Sequence, residues 1–180
     1  MMAGHECDMS KTRSADVIPK AAAAKSDDPV IDLERYVPAL ITFIANKLSR
    51  SATALYQRRF KVNVTEWRIL VLLAIEPGIP ASRICHVIGF DKGPVSRTLS
   101  VMQERDLVTI KTDPKDGRTH SISLAPKGRE IHDRIMVIAL DRERRLLACL
   151  REDEREVLID LLGRVHGNLG AVTDHPENKE

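Results

Sequence analysis

Gly89-Phe90-Asp91 constrains the chain most tightly, because one helix must stop and another must start across it. Upstream, the residues from Ile79 to Ile88 read as a short amphipathic helix. Pro80 suits its first turn and Gly89 stands where a left-handed C-cap is needed. Downstream, Asp91 is a good N-cap, and Val95, Leu99 and Met102 recur at spacings of four and three. That period predicts a helix from Lys92 to about Arg105 with one buried stripe. Lys92, Ser96, Arg97, Ser100 and Gln103 fall on its opposite face. Two helices joined through a single residue must cross steeply, which turns the N-terminal half of the second outward.

Beyond this pair, Leu107 to Lys111 and Ser121 to Ala125 are short β-prone segments. They flank Thr112-Asp113-Pro114-Lys115-Asp116-Gly117-Arg118-Thr119-His120, whose Pro, Asp and Gly make a hairpin loop. A steep helix pair followed by a charged hairpin is the layout of a winged helix-turn-helix, and its second helix fits a major groove. The net charge of +2 and pI near 8.5 permit nucleic acid without demanding it. From Pro80 to Ala125, seven basic residues (Arg83, Lys92, Arg97, Arg105, Lys111, Lys115, Arg118) stand against five acidic ones. Position therefore matters more than total charge.

The flanks are helical. From Leu33 to about Phe60, Val37, Leu40, Ile41, Ile44, Leu48, Ala52 and Leu55 follow the helical period, and Pro38 places the regular start near Tyr36. Thr65 is a natural N-cap for a helix from Glu66 to Ile75, with Glu76-Pro77-Gly78 as its stop. Pro126 opens a long helix running to about Leu150, and a last helix carries Val157, Leu158, Leu161, Leu162 and Val165 on one side. The expected fold is mainly α with a small β-hairpin wing. It divides into a disordered tail at 1–30, a domain at 31–170 and a polar tail at 171–180. Within the domain, 62–126 forms the DNA-binding module. The helices at 33–60 and 127–169 are too apolar for so small a module to satisfy, and a homodimer buries them most economically; a monomeric helical cap over the module is the alternative.

Several classes are set aside. Cys7, Cys85 and Cys149 are odd in number and far apart, which argues against a disulfide scaffold; Cys85 and Cys149 fall among helical residues and read as buried and inert. There is no apolar leader, and the run from Ile69 to Ile75 is far short of the ~20 residues that span a bilayer, so the expected compartment is the cytoplasm. His120, His132, His166 and His175 show no metal spacing, and neither metal nor cofactor is expected. No nucleophile elbow, phosphate loop or His-Glu-x-x-His points to an enzyme.

Taken in order, Val64-Thr65-Glu66-Trp67-Arg68-Ile69-Leu70, Gly89 to Arg97, Asp113-Pro114-Lys115-Asp116-Gly117-Arg118 and Leu124-Ala125-Pro126-Lys127-Gly128 carry a resemblance to the MarR-type transcriptional regulators. It covers about Leu33 to Leu169. It implies a homodimer whose winged modules sit in successive major grooves of a pseudo-palindromic duplex. Carried over by position, Lys92, Pro94, Ser96, Arg97, Ser100, Lys115, Asp116, Arg118 and His120 become the contacts to double-stranded DNA. Arg118 resembles the wing arginine that enters the minor groove, and Asp116 the acid that orients it. Gly93-Pro94 departs from the small polar residues common in the family, and Ala125 from a Thr or Ser cap.

The family also implies a small effector, often aromatic and anionic, in a cleft beside the dimer helices. Tyr36, Phe43, Lys47, Arg50 and Trp67 are candidates to line it, with an aromatic acid or its coenzyme A thioester as the ligand. The expected function is a ligand-responsive repressor; the alternative is a winged-helix protein-interaction module without DNA readout.

Overall fold

The computed structural model describes Ile18, residues 30–112 and residues 120–173. Seven helices and one hairpin make up these residues: α1 (Val37–Phe60), α2 (Val64–Ile75), α3 (Ala81–Ile88), α4 (Lys92–Glu104), β1 (Val108–Thr112), β2 (His120–Leu124), α5 (Pro126–Leu146), α6 (Glu152–Gly167) and α7 (Gly170–Thr173). The expected mainly α architecture with a two-stranded wing is the observed one. The chain forms two compact units, the larger ending at Val137 and the smaller starting at Ile138. Most of the tail expected at 1–30, and residues 174–180 of the tail expected at 171–180, lie outside the described residues.

Local chemistry explains where the helices begin and end. Tyr36 is the N-cap of α1, with Pro38 in the first turn where its missing N–H costs nothing. The cap of α2 is Asn63 and not Thr65. The Asn63 side-chain oxygen accepts from the N–H groups of Thr65 and Glu66, both at 2.9 Å, while the Glu66 carboxylate accepts from the Asn63 N–H at 2.8 Å. Asn63 wins because an acid stands three residues on, which lets the two ends cap each other. Pro80 sits one residue earlier than expected, as the N-cap of α3, and Gly89 closes that helix in the left-handed region at φ 68°. The long helix expected to reach Leu150 stops at Leu146, where Leu147–Cys149 tightens into a 3-10 turn.

In the larger unit, α2 is central. Ile69, Leu70 and Leu73 of α2, Ile84 of α3, Val95 and Met102 of α4, Leu107 and Ile135 are all fully buried, with Leu99, Val108 and Ile122 nearly so. The hairpin is antiparallel, pairing Val108 with Leu124 and Thr112 with His120, one residue displaced from the expected segments. Ile79 adds a one-residue third strand through a bridge to Ile122, so the segment before α3 is stitched to the hairpin. Gly128 marks the tightest approach: a Cβ there would overlap the Leu107 carbonyl, and Ala125 N–H donates to that same oxygen at 3.1 Å.

In the smaller unit, Arg151 N–H donates to the Glu154 carboxylate at 2.8 Å to open α6, and Arg155 donates to the Leu147 carbonyl at 3.1 Å. Val157, Leu161, Leu162, Val165 and Leu169 remain about half exposed, and Val172 more so. Cys149, expected to be buried, is exposed, and Cys85 is half-buried. The buried stripe of α5 ends at Ile135, so the residues on toward Cys149 have no core to enter.

Candidate nucleic-acid interface

Helix α4 is held by one face. Val95 and Met102 are fully buried and Leu99 is 3% exposed, which fixes the rotation of the helix about its axis and forces Lys92, Pro94, Ser96, Arg97 and Ser100 to the outside. Asp91 has the extended backbone of an N-cap but makes no side-chain bond to the first turn. The Ser100 hydroxyl donates back to the Ser96 carbonyl at 3.1 Å, and Thr98, which sequence reading did not single out, donates to the Pro94 carbonyl at 2.9 Å. With their protons turned onto the helix, both hydroxyls keep accepting lone pairs for a partner.

The arginines around α4 are not equivalent. Arg83 makes a two-pronged pair with Glu76, at 2.9 and 2.8 Å, and the hydrogen bond from Arg83 holds the Glu76 carboxyl below its ordinary range. Arg105 is tied to Glu66 at 2.6 Å and to the Lys61 carbonyl at 2.5 Å. Arg97 and Lys92 are exposed and have no carboxylate partner among the described residues. Among the described residues, pairing thus subtracts Arg83 and Arg105 from the outward field, which periodicity could not reveal.

At the hairpin, His120 Nδ1 lies 3.1 Å from the Thr112 hydroxyl, closing the last rung before the loop. Lys115, Asp116 and Arg118 lie outside the described residues.

The effector candidates divide into two groups. Tyr36, Phe43, Lys47 and Arg50 are exposed; the last three share one face of α1 by their spacing of four and three, and Tyr36 is its extended N-cap. Trp67 is half-buried in a different setting: its ring meets Tyr56 edge-on at 5.9 Å and stacks on His132 of α5 at 5.4 Å. Arg68, beside it, escaped the sequence reading. Its guanidinium donates to Ser49 of α1 at 3.1 Å and lies over the Phe90 ring at 5.6 Å, bridging α1 to the turn between α3 and α4. An arginine next to a tryptophan was visible in the sequence; its reach to Phe90, 22 positions away, was not.

Among the described residues, no group of three or more His, Cys, Asp or Glu side chains is placed to hold a metal, and no helix is long and apolar enough to cross a membrane.

The same arrangement is found in known proteins. The model of the MarR family matches residues 60–119, from the end of α1 through the hairpin loop. The crystal structure of a MarR/EmrR family transcriptional regulator from Acinetobacter sp. ADP1 is 30% identical, covers 79% of this chain and all of its own, and superposes with a TM-score of 0.74. The chain belongs to the MarR family. Its members are DNA-binding transcriptional regulators, not enzymes, which agrees with the expectation from sequence. A second neighbour in structure, the PcaV transcriptional regulator of Streptomyces coelicolor solved with its natural ligand, is 25% identical with a TM-score of 0.64, covering 78% of this chain and 98% of its own. A Thauera aromatica protein named for regulation of the hcr operon is 26% identical over 98 residues, 54% of this chain; the match spans only 59% of the Thauera protein.

Proposed function

We propose that this MarR-family regulator is a cytoplasmic homodimer that represses transcription by binding a pseudo-palindromic duplex, and that a small aromatic acid or its coenzyme A thioester releases it. The observation that carries the DNA-binding half is α4 itself: a helix locked by Val95, Leu99 and Met102 that holds Lys92, Ser96, Arg97 and Ser100 outward together. Arginine can grip guanine through two hydrogen bonds, while hydroxyls and lysine reach phosphates or base edges.

Dimer formation is supported by two uncovered apolar stripes. Val37, Ile41, Ile44 and Leu48 lie along α1, and Val157, Leu161, Val165 and Leu169 along α6 and its end, all between 37% and 57% exposed. A second copy would remove them from water, and two-fold symmetry would set two α4 helices about one turn of DNA apart. The effector half rests on Phe43, Lys47 and Arg50 sharing one face of α1, a ring and two cations suited to an aromatic carboxylate.

The test is a gel shift with the duplex upstream of the protein's own gene, repeated across salt concentrations. We expect nanomolar binding that falls steeply as counterions are released. Weak binding of equal strength to every duplex would favour a winged module that docks proteins. Thermal-shift titration with aromatic acids and their thioesters checks the effector, and no stabilisation by any of them would remove that half of the proposal.

A further inference from the structure

We infer that Gly93 is a specificity-determining position: the side chain it lacks sets where the Arg97 guanidinium lies, and Arg97 is thereby the base-reading donor of α4. The inference rests on the DNA-binding reading above.

Three observations carry it. First, Arg83 and Arg105, the other arginines between Pro80 and Arg105, are occupied by Glu76 and Glu66, whereas Arg97 has no carboxylate partner among the described residues. Second, Arg97 Nη1 lies 3.6 Å from where a Cβ on Gly93 would stand, so the guanidinium folds back one turn and rests over the bare glycine backbone. That direction is the one long side chains take on a helix, toward its N-terminus, and the N-terminal end of a recognition helix is the end that meets base edges. Third, the neighbouring positions offer little else with a forked donor. Pro94 has neither an N–H nor a polar side chain, the Thr98 and Ser100 hydroxyls donate to helix carbonyls, and Lys92 is a point charge.

A methyl group at 3.6 Å is in ordinary contact, so alanine at 93 leaves the guanidinium in place. A longer side chain occupies the same space and moves the fork. In the groove, the two parallel donors of Arg97 match the O6 and N7 acceptors of guanine.

The experiment selects bound duplexes from a randomised pool with the full-length wild type, Gly93→Ala, Gly93→Gln, Arg97→Lys and Arg97→Ala. Helicity and Tm are measured alongside; position 93 is exposed, but a Cβ on the helical residue before Pro94 crowds the proline ring, so Gly93→Ala carries that same cost and is the reference against which Gly93→Gln is read. The wild type and Gly93→Ala should enrich guanine at one position of each half-site. Gly93→Gln, Arg97→Lys and Arg97→Ala should lose that preference and bind the wild-type site roughly 10-fold more weakly, with Gly93→Gln keeping the wild-type salt slope. If Gly93→Gln selects the same base with the same affinity, the role of Gly93 is wrong. If Arg97→Ala weakens every sequence equally and lowers the salt slope by about one, Arg97 grips a phosphate and the inference falls. A wild type that enriches nothing overturns the DNA-binding reading itself, and the inference with it.

Discussion

Glu66, buried at the start of α2, accepts a hydrogen bond from Arg105 at the end of α4 at 2.6 Å, across 39 positions of sequence. The same carboxylate caps α2 through Asn63, and the same guanidinium reaches the Lys61 carbonyl beyond α1. One ion pair therefore joins the end of α1, the start of α2 and the end of the helix whose other end bears Lys92 and Arg97.

Removing the guanidinium should cost more than neutralising the acid. Arg105→Met strands a buried carboxylate, and we expect a loss of about 2 kcal/mol, below the usual range for a broken buried pair because Arg105 is 31% exposed. Glu66→Gln keeps an acceptor for Asn63 and should cost about 1 kcal/mol. Urea unfolding of both variants checks the order; a loss under ~0.5 kcal/mol for Arg105→Met would mean that water replaces the guanidinium.

Two glycines should respond to alanine with opposite signs. A Cβ at Gly128 would strike the Leu107 backbone, which cannot move without tearing the hairpin from α5, and we expect a loss of about 3 kcal/mol. Gly163, inside α6 with open space around its Cβ position, should gain about 0.5 to 1 kcal/mol from alanine's better helix propensity. Thermal melts decide both, and a neutral Gly128→Ala would contradict the close approach.

The exposed pair of Glu76 and Arg83 should be felt only while Glu76 is ionised. Its carboxyl is lowered from the ordinary 4.5 by the Arg83 hydrogen bond, so the folded state holds the proton less tightly than the unfolded state does. The pair's contribution is then complete above pH 4.5 and fades as the pH falls through the lower folded value. A double-mutant cycle with Glu76→Gln and Arg83→Gln should show coupling at pH 7 that shrinks toward pH 3 and in high salt. Coupling that grew on acidification would refute this account.

Arg118, which by resemblance to the family stands at the position of the wing arginine, should matter to DNA and not to folding. Arg118→Ala is expected to weaken duplex binding at physiological salt while circular dichroism stays as in the wild type. Unchanged affinity would remove Arg118 from the interface.

What the sequence determined by itself is local. Period and caps were enough for α1, α3 and α4, because a helix is built from bonds and side-chain contacts three and four residues apart, and Gly89 and Pro38 act on their own turns. The buried stripe of Val95, Leu99 and Met102, and hence the outward face of α4, followed from the same arithmetic. The cap of α2 is local too: Asn63-Val64-Thr65-Glu66 carries the reciprocal signal, which outweighs the lone hydroxyl of Thr65. Only the tertiary structure decided which charges are free. Arg83 and Arg97 look alike in a string of letters, yet one meets Glu76 and the other no carboxylate among the described residues. The same holds for Gly128 beneath the Leu107 carbonyl, Trp67 on His132 and Ile79 against Ile122. Each joins residues at least 21 positions apart, and such partners are set by how whole helices cross and pack, which short-range periodicity does not encode.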